Sequence, residues 1–385
     1  MKRNVIIISF PDRVVLALLG LYFVLTPFYF WRSGIPQISD FVMVLALVIY
    51  IIGNNYGVWF SKETRNFSII NCLFVSYIFI VNGIWDVVYH GEIGFFQVSM
   101  FYLYNSVTCL MIVSLCFKYR AHVFKVIFYA VLLSVFLQVL LVPTIGARVG
   151  IRTIGFFNNP NQLGYYSLLS CALLLFMSDR LRVNHWLLVL GVLSSTLLCL
   201  LSLSSGAILA FFGMLFYFVL LHKKDRKFQK KVWTFLLILL AATSVLGSMY
   251  VGTITSSVLY RNVFFRLSTM GQSADDSLAG RFYNRLGYPE YWAFGAGEGA
   301  YFRFGSGVEF HSTLGNLQVS YGIVGLGMFL ALLYIAMKRS RWQAAYLVFW
   351  ILFYGLTHNG IRSTFLWIII GLAASGIPNI KRVCS

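Results

Sequence analysis

Charge is scarce in this 385-residue chain: Asp, Glu, Lys and Arg make up 11% of it and hydrophobic residues 59%. A soluble domain carries about 25% charged residues, so an ordinary water-soluble globule is excluded. Acidic residues are scarcer still, 12 against 30 basic, which leaves a formal net charge of +18. In a soluble chain that imbalance would suggest nucleic acid. Here 21 of the basic residues fall in short loops on one expected face, the bias that orients membrane proteins, so no nucleic-acid partner is expected. Cysteines give no disulfide framework: Cys72, Cys109, Cys116, Cys171 and Cys199 lie in apolar segments and Cys384 at the inner terminus. The sequence shows no internal repeat and no low-complexity tract. No small-residue cleavage site follows the first apolar run, which is expected to be an uncleaved anchor.

What is present is a series of apolar windows near the roughly 20 residues that cross a bilayer as helices. Twelve are expected: Val14 to Trp31, Asp40 to Gly53, Phe67 to Tyr89, Val98 to Phe117, Val123 to Val142 and Asn161 to Met177. The second half supplies His185 to Leu203, Ser205 to Leu221, Val232 to Val251, Ser312 to Met337, Gln343 to Thr357 and Ser363 to Ile377. The expected fold is an all-α polytopic membrane protein, residues 1–385 forming one integral membrane domain with both termini cytoplasmic. Two outer loops stand out by length, 144–160 and the long loop 253–311 between the ninth and tenth spans. Connections longer than about 12 to 15 residues are usually functional or disordered. Order and short helices at the membrane surface are expected in the longer one. The basic run His222 to Lys231 on the inner side reads as a solvated topology determinant.

Lysine is missing from the expected outer face. All eleven lysines fall inside, whereas the outer basic residues are Arg32, Arg148, Arg152, Arg261, Arg266, Arg281, Arg285, Arg303 and Arg362. A planar guanidinium offers paired donors to phosphate or carboxylate, where an ammonium offers a point charge. The asymmetry suggests a binder of phosphorylated substrate; the alternative is that the insertion signal disfavours lysine outside.

Several local patterns add chemistry. Arg148 and Arg152 precede Gly155 and the run Asn158 to Gln162. Asn159 is a good N-cap, Pro160 fits the first helical position and Gln162 can reach back as in a capping box. The helix beginning there would offer unpaired amides to an anion beside two arginines, or would simply be a well-started helix. In the long loop, Arg281 and Arg285 precede Gly295 to Gly299, glycines that either let amides approach a phosphate or form a flexible turn. Asp275 and Asp276 lack supporting His or Cys spacing, so no metal is expected; salt bridges to arginines are the expected role. His311 closes the loop as either a satisfied polar residue or a base able to take a hydroxyl proton. His358, beside Asn359 and Arg362, is a second candidate base.

These patterns carry a resemblance. Arg152 to Gly155, Asn159 to Asn161, Gly280 and Arg281, Gly295 to Gly299, then His311 and Ser312 followed by nine residues and Gly322 to Gly325, resemble the O-antigen ligase and Wzy-type polymerase superfamily over roughly Arg148 to Met337. The resemblance implies a metal-independent glycosyltransferase of the bacterial inner membrane, active on its periplasmic face in lipopolysaccharide or related polysaccharide biosynthesis. Its donor would be an undecaprenyl-diphosphate-linked oligosaccharide, and no cofactor is expected. The further partners it suggests are membrane lipids, a chain-length regulator and a flippase. Polymerisation of repeat units is the first expectation, and ligation of the glycan to lipid A core the alternative. A lipid or polysaccharide transporter is a weaker reading, because paired halves and charged mid-span residues are lacking. Within the transfer reading, His311 is the base or acceptor-positioning group and Arg152 and Arg281 hold the diphosphate. Arg148, Arg285, Arg303, Asn159 and Asn161 are assigned to substrate binding. One departure is visible: many relatives carry an arginine where this chain has Gly206, so Arg148 or Arg285 would have to supply that contact.

Overall fold

Long apolar windows close their own backbone hydrogen bonds as helices, and helices dominate the computed structural model. It describes residues 8–53, 64–91, 93–119, 121–181, 183–221, 261, 264–265, 268, 279–305 and 309–376. The expected span Val232 to Val251, the run His222 to Lys231, Arg266, Asp275 and Asp276 lie outside the described residues. Among those described, the first five helices are α1 (Phe10–Leu25), α2 (Ile38–Gly53), α3 (Arg65–Val88), α4 (Ile93–Tyr119) and α5 (Ala121–Ile145). Then follow α6 (Pro160–Ser178), α7 (His185–Ser202), α8 (Ser205–Leu221), α9 (Thr313–Arg339), α10 (Ala345–Tyr354) and α11 (Thr364–Ala374). Helices α3, α4, α5, α7 and α9 are long and apolar enough to cross a membrane. The chain is therefore a membrane-embedded, all-α protein. Helix α10 has ten residues and rises only about 15 Å, half a hydrocarbon core of about 30 Å, so it is not by itself a complete crossing.

Helix boundaries follow local chemistry. Helix α1 starts four residues before the expected Val14 because Ser9 caps it and Pro11 fits its first turn; Asp12 is then buried against Lys118, 2.7 Å away. Helix α6 starts at Pro160 as expected, with the Asn159 side chain accepting from the Asn161 amide at 2.7 Å. Gln162 does reach back, but to the amide of Asn158 at 3.1 Å. Helices α6 and α11 are buried on nearly every face, which makes them the centre around which the others pack. The loop 144–160 is partly sheet: β1 (Ala147–Val149) pairs antiparallel with β2 (Arg152–Gly155). In the long loop the described elements are short 3-10 turns at Tyr283–Gly287, Pro289–Tyr291 and Tyr301–Phe304.

The glycine-rich segment does something the sequence did not indicate. Helix α9 is broken at Gly322, whose φ of 62° suits glycine. The loop from Trp292 to Gly297 is sewn into the break. Ala296 and Gly297 donate to the carbonyls of Val319 and Ser320, at 2.9 and 2.7 Å, and Ile323 donates to Trp292 at 2.7 Å. A Cβ on Gly295 would stand 2.3 Å from the Ser320 oxygen, and one on Gly322 2.2 Å from that of Ala293. The Ala296 and Gly297 amides are therefore spent on helix carbonyls, so the segment is neither a phosphate cradle nor a loose turn.

Candidate functional site

Residues from five separate segments meet at the start of α6. The hairpin carries Arg152 across, where its Nη2 donates to Asn161 Oδ1 at 2.7 Å and its Nε to the Ser202 carbonyl at 3.2 Å. Tyr354, at the end of α10, donates to the Asn161 carbonyl at 3.1 Å, and its hydroxyl lies 3.2 Å from Ser204 Oγ. The turn after α10 is fixed by Thr313: its amide donates to Gly355 at 2.6 Å and its hydroxyl to the His358 carbonyl at 2.9 Å. Arg281 Nη1 donates to Thr357 in the same turn at 2.7 Å, and the His311 amide reaches the Arg281 carbonyl at 3.4 Å.

His358 sits in the middle of this arrangement, its ring against Tyr165 and Tyr354 with centroids 5.0 and 5.3 Å away. Burial, then the positive fields of His311 and Arg281, push its pKa down to about 4. At neutral pH it is an uncharged imidazole. The structure thus brings Arg152, Asn161, Arg281 and His311 to one place, with His358 as their common neighbour. Gly206 belongs there too, since a Cβ on it would lie 2.7 Å from Thr357 Oγ1. A side chain at that position would enter the space beside Thr357, to whose carbonyl Arg281 donates.

Of the other assigned residues, Asn159 is beside the site as a helix cap and the arginines lie elsewhere. Arg148 is exposed on β1. Arg285, assigned to substrate binding from the sequence, is 3% exposed and stacks on Phe282 and Phe304 at 4.6 and 4.8 Å. Arg303 is held the same way by Trp85, Phe95 and Phe304 and donates to the Gly297 carbonyl at 2.7 Å. A guanidinium is planar and stacks on rings, but burial here still costs desolvation and lowers the pKa of both arginines. Both arginines pin the loop. Both are thus placed among rings of the loop and of α3 and α4, away from Gly206.

Sequence reasoning missed a buried ionic centre. Glu298 is fully buried and accepts from the hydroxyls of Tyr102 at 2.9 Å and of Tyr301 and Tyr321 at 3.4 Å. Arg362 pairs with it at 3.7 Å and also with Glu309. Burial opposes the charge on Arg362, but the facing Glu298 outweighs it and pushes the guanidinium pKa up. The available signal was a single acidic residue inside a run of glycine and alanine. Beside this centre lies a cavity of about 210 Å³ whose wall includes Asp40, Gln162, Tyr165, Glu309, His358, Asn359 and Arg362. Among the described residues no three His, Cys, Asp or Glu stand together to hold a metal ion.

A neutral buried histidine makes stability depend on pH. Between about 4 and the ordinary 6.5 the unfolded chain binds the proton and the folded one does not, so stability rises with pH across that window. The contribution is complete above 6.5 and lost as pH falls through about 4. The thermal unfolding midpoint of the purified protein is expected to drop over that range, and less steeply in His358→Gln. Equal slopes in both proteins would assign the dependence to other groups.

Fold and site together define a class: a helical membrane protein with an arginine- and histidine-lined polar centre beside a small cavity. No protein-family model matches the chain, and no curated protein matches it.

Proposed function

We propose that the chain polymerises undecaprenyl-diphosphate-linked oligosaccharide repeat units into O-antigen or a related surface polysaccharide. It does so as a metal-independent glycosyltransferase at the periplasmic face of the bacterial inner membrane. What supports this reading is the meeting of Arg152 and Arg281 with His311 and His358, residues drawn from distant parts of the sequence. In the reaction an acceptor hydroxyl oxygen bonds to the anomeric carbon as the bond from that carbon to the diphosphate oxygen breaks. His311 takes the hydroxyl proton. Arg152 and Arg281 neutralise the charge gathering on the departing diphosphate, and this electrostatic clamping carries much of the rate.

The glycan profile of a deletion strain tests the reaction. Lipid A core bearing single repeat units is expected. Core bearing none would instead assign ligation, and an unchanged profile would remove both readings. The accompanying topology has twelve crossings, both termini cytoplasmic and residues 253–311 outside. Cysteines placed singly at the exposed positions Glu290 and Gln343 should label from outside and from inside, respectively, with an impermeant thiol reagent. Labelling at Gln343 from outside in intact cells would invert this orientation.

A further inference from the structure

The cavity beside His358 is not required by the diphosphate chemistry, and its wall is unsuited to phosphate. Asp40 and Glu309 line it, and Glu298 lies just behind, on the guanidinium of Arg362. Three carboxylates thus share this neighbourhood with one arginine, within a chain whose net charge is +18. An incoming anion would meet like charges at short range. The rest of the wall suits a different ligand. Tyr104 and Tyr165 offer ring surface, and Asn359 Nδ2 is buried with no hydrogen-bond partner among the described residues, while its Oδ1 accepts from Ile361. A buried unpaired donor is costly, and a turn of the part-exposed Asn359 side chain into the cavity it lines would let a ligand acceptor relieve it. A pyranose ring presents C–H faces to aromatics and hydroxyls to carboxylates and amides, which is what this wall can bind.

The cavity is also preformed. Gln37 accepts from the amides of Phe30 and Trp31 and donates to the carbonyls of Trp31, Arg32 and Ile35. Ser33 in the same loop accepts from Gln162 at 2.7 Å, which docks the loop on α6. Asp40 is held by the Tyr104 hydroxyl at 3.1 Å and the Gln37 amide at 2.8 Å. A volume of about 210 Å³ falls below the roughly 300–1,000 Å³ of drug-sized sites and suits a single ring.

We infer that this cavity binds one uncharged pyranose unit, the acceptor-side sugar, with Asn359 donating to one hydroxyl and Asp40 accepting from another. The acceptor role rests on the transfer reading; sugar binding does not. The test uses the purified full-length chain in lipid nanodiscs. Saturation-transfer NMR would follow the methyl β-glycosides of glucose, galactose and N-acetylglucosamine, with inorganic pyrophosphate as a competitor. At least one glycoside is expected to bind in the millimolar range. Asn359→Ala and Asp40→Asn should each weaken it about tenfold, whereas Arg281→Lys should leave it within about twofold. Binding of no glycoside, equal binding by parent and both cavity variants, or displacement by pyrophosphate would each overturn the inference. If glycosides bind as expected but the protein transfers nothing from a lipid-linked donor, the transfer reading fails and the sugar site stands. Transfer without glycoside binding would mean the reverse.

Discussion

Replacing His311 by alanine is expected to lower turnover on a lipid-linked repeat unit by about a hundredfold or more, the usual scale for losing a general base. Donor binding should persist, because Arg152 and Arg281 remain. The structure sharpens this expectation by separating two imidazoles. His358 is enclosed by Tyr165 and Tyr354 and kept neutral, with a pKa near 4 that makes it a poor proton acceptor at neutral pH. His311 is as partly buried as His358; its ring lies 5.8 Å from that of Phe282 and its amide meets the Arg281 carbonyl at 3.4 Å. On the proposed transfer reading the base role goes to His311, and His358 is its neutral neighbour. If His311 merely packs the loop, His311→Asn would keep turnover and His311→Ala would lower protein level instead. Single-turnover rates with donor binding measured alongside separate these outcomes, and robust turnover by both variants would remove His311 from the site.

Arg152→Lys and Arg281→Lys are expected to lose most activity while the proteins still accumulate. Arg152 shows why charge is not enough. Its Nε and Nη2 tie together two acceptors from different helices, Ser202 and Asn161, a fork that one ammonium on a flexible stem cannot reproduce, so Arg152→Lys would lose the alignment of the site as well as charge geometry toward a diphosphate. Hydrogen bonds involving charged groups contribute about 1.5–3 kcal/mol, so a loss of roughly 10- to 150-fold is expected for each variant. Polysaccharide chain length at matched protein level is the readout. Near-normal chains in both lysine variants would reduce the clamp to simple attraction.

What could be read from the sequence was whatever is decided locally. Asn159 and Pro160 carry the start of α6 within two residues, and apolar length alone marks most helices. What could not be read depends on partners far along the chain. Gly295 and Gly297 read as either a phosphate approach or a flexible turn, because the break at Gly322 that receives them is visible only in the fold. The rings around Arg285 and Arg303, Phe282 and Phe304 for one and Trp85 and Phe95 for the other, come from segments whose meeting only the fold shows. Glu298 gave no hint of its tyrosines, which come from α4, α9 and the loop itself. Arg152, Arg281 and His311 stood out by type and spacing, but only the hairpin and the turn after α10 bring them together.

The break in α9 also bears on how the chain is made. A helix entering the bilayer with its ladder open at Gly322 would carry bare amides and carbonyls into hydrocarbon, at several kcal/mol apiece. The strip that closes those bonds, Trp292 to Gly297, precedes α9 in the sequence and so leaves the ribosome first. Order of synthesis thus delivers the patch before the gap it covers. A circular permutant placing α9 ahead of that strip would have to insert the helix unclosed, and should be recognised and degraded by membrane quality control even though its finished contacts would be the same.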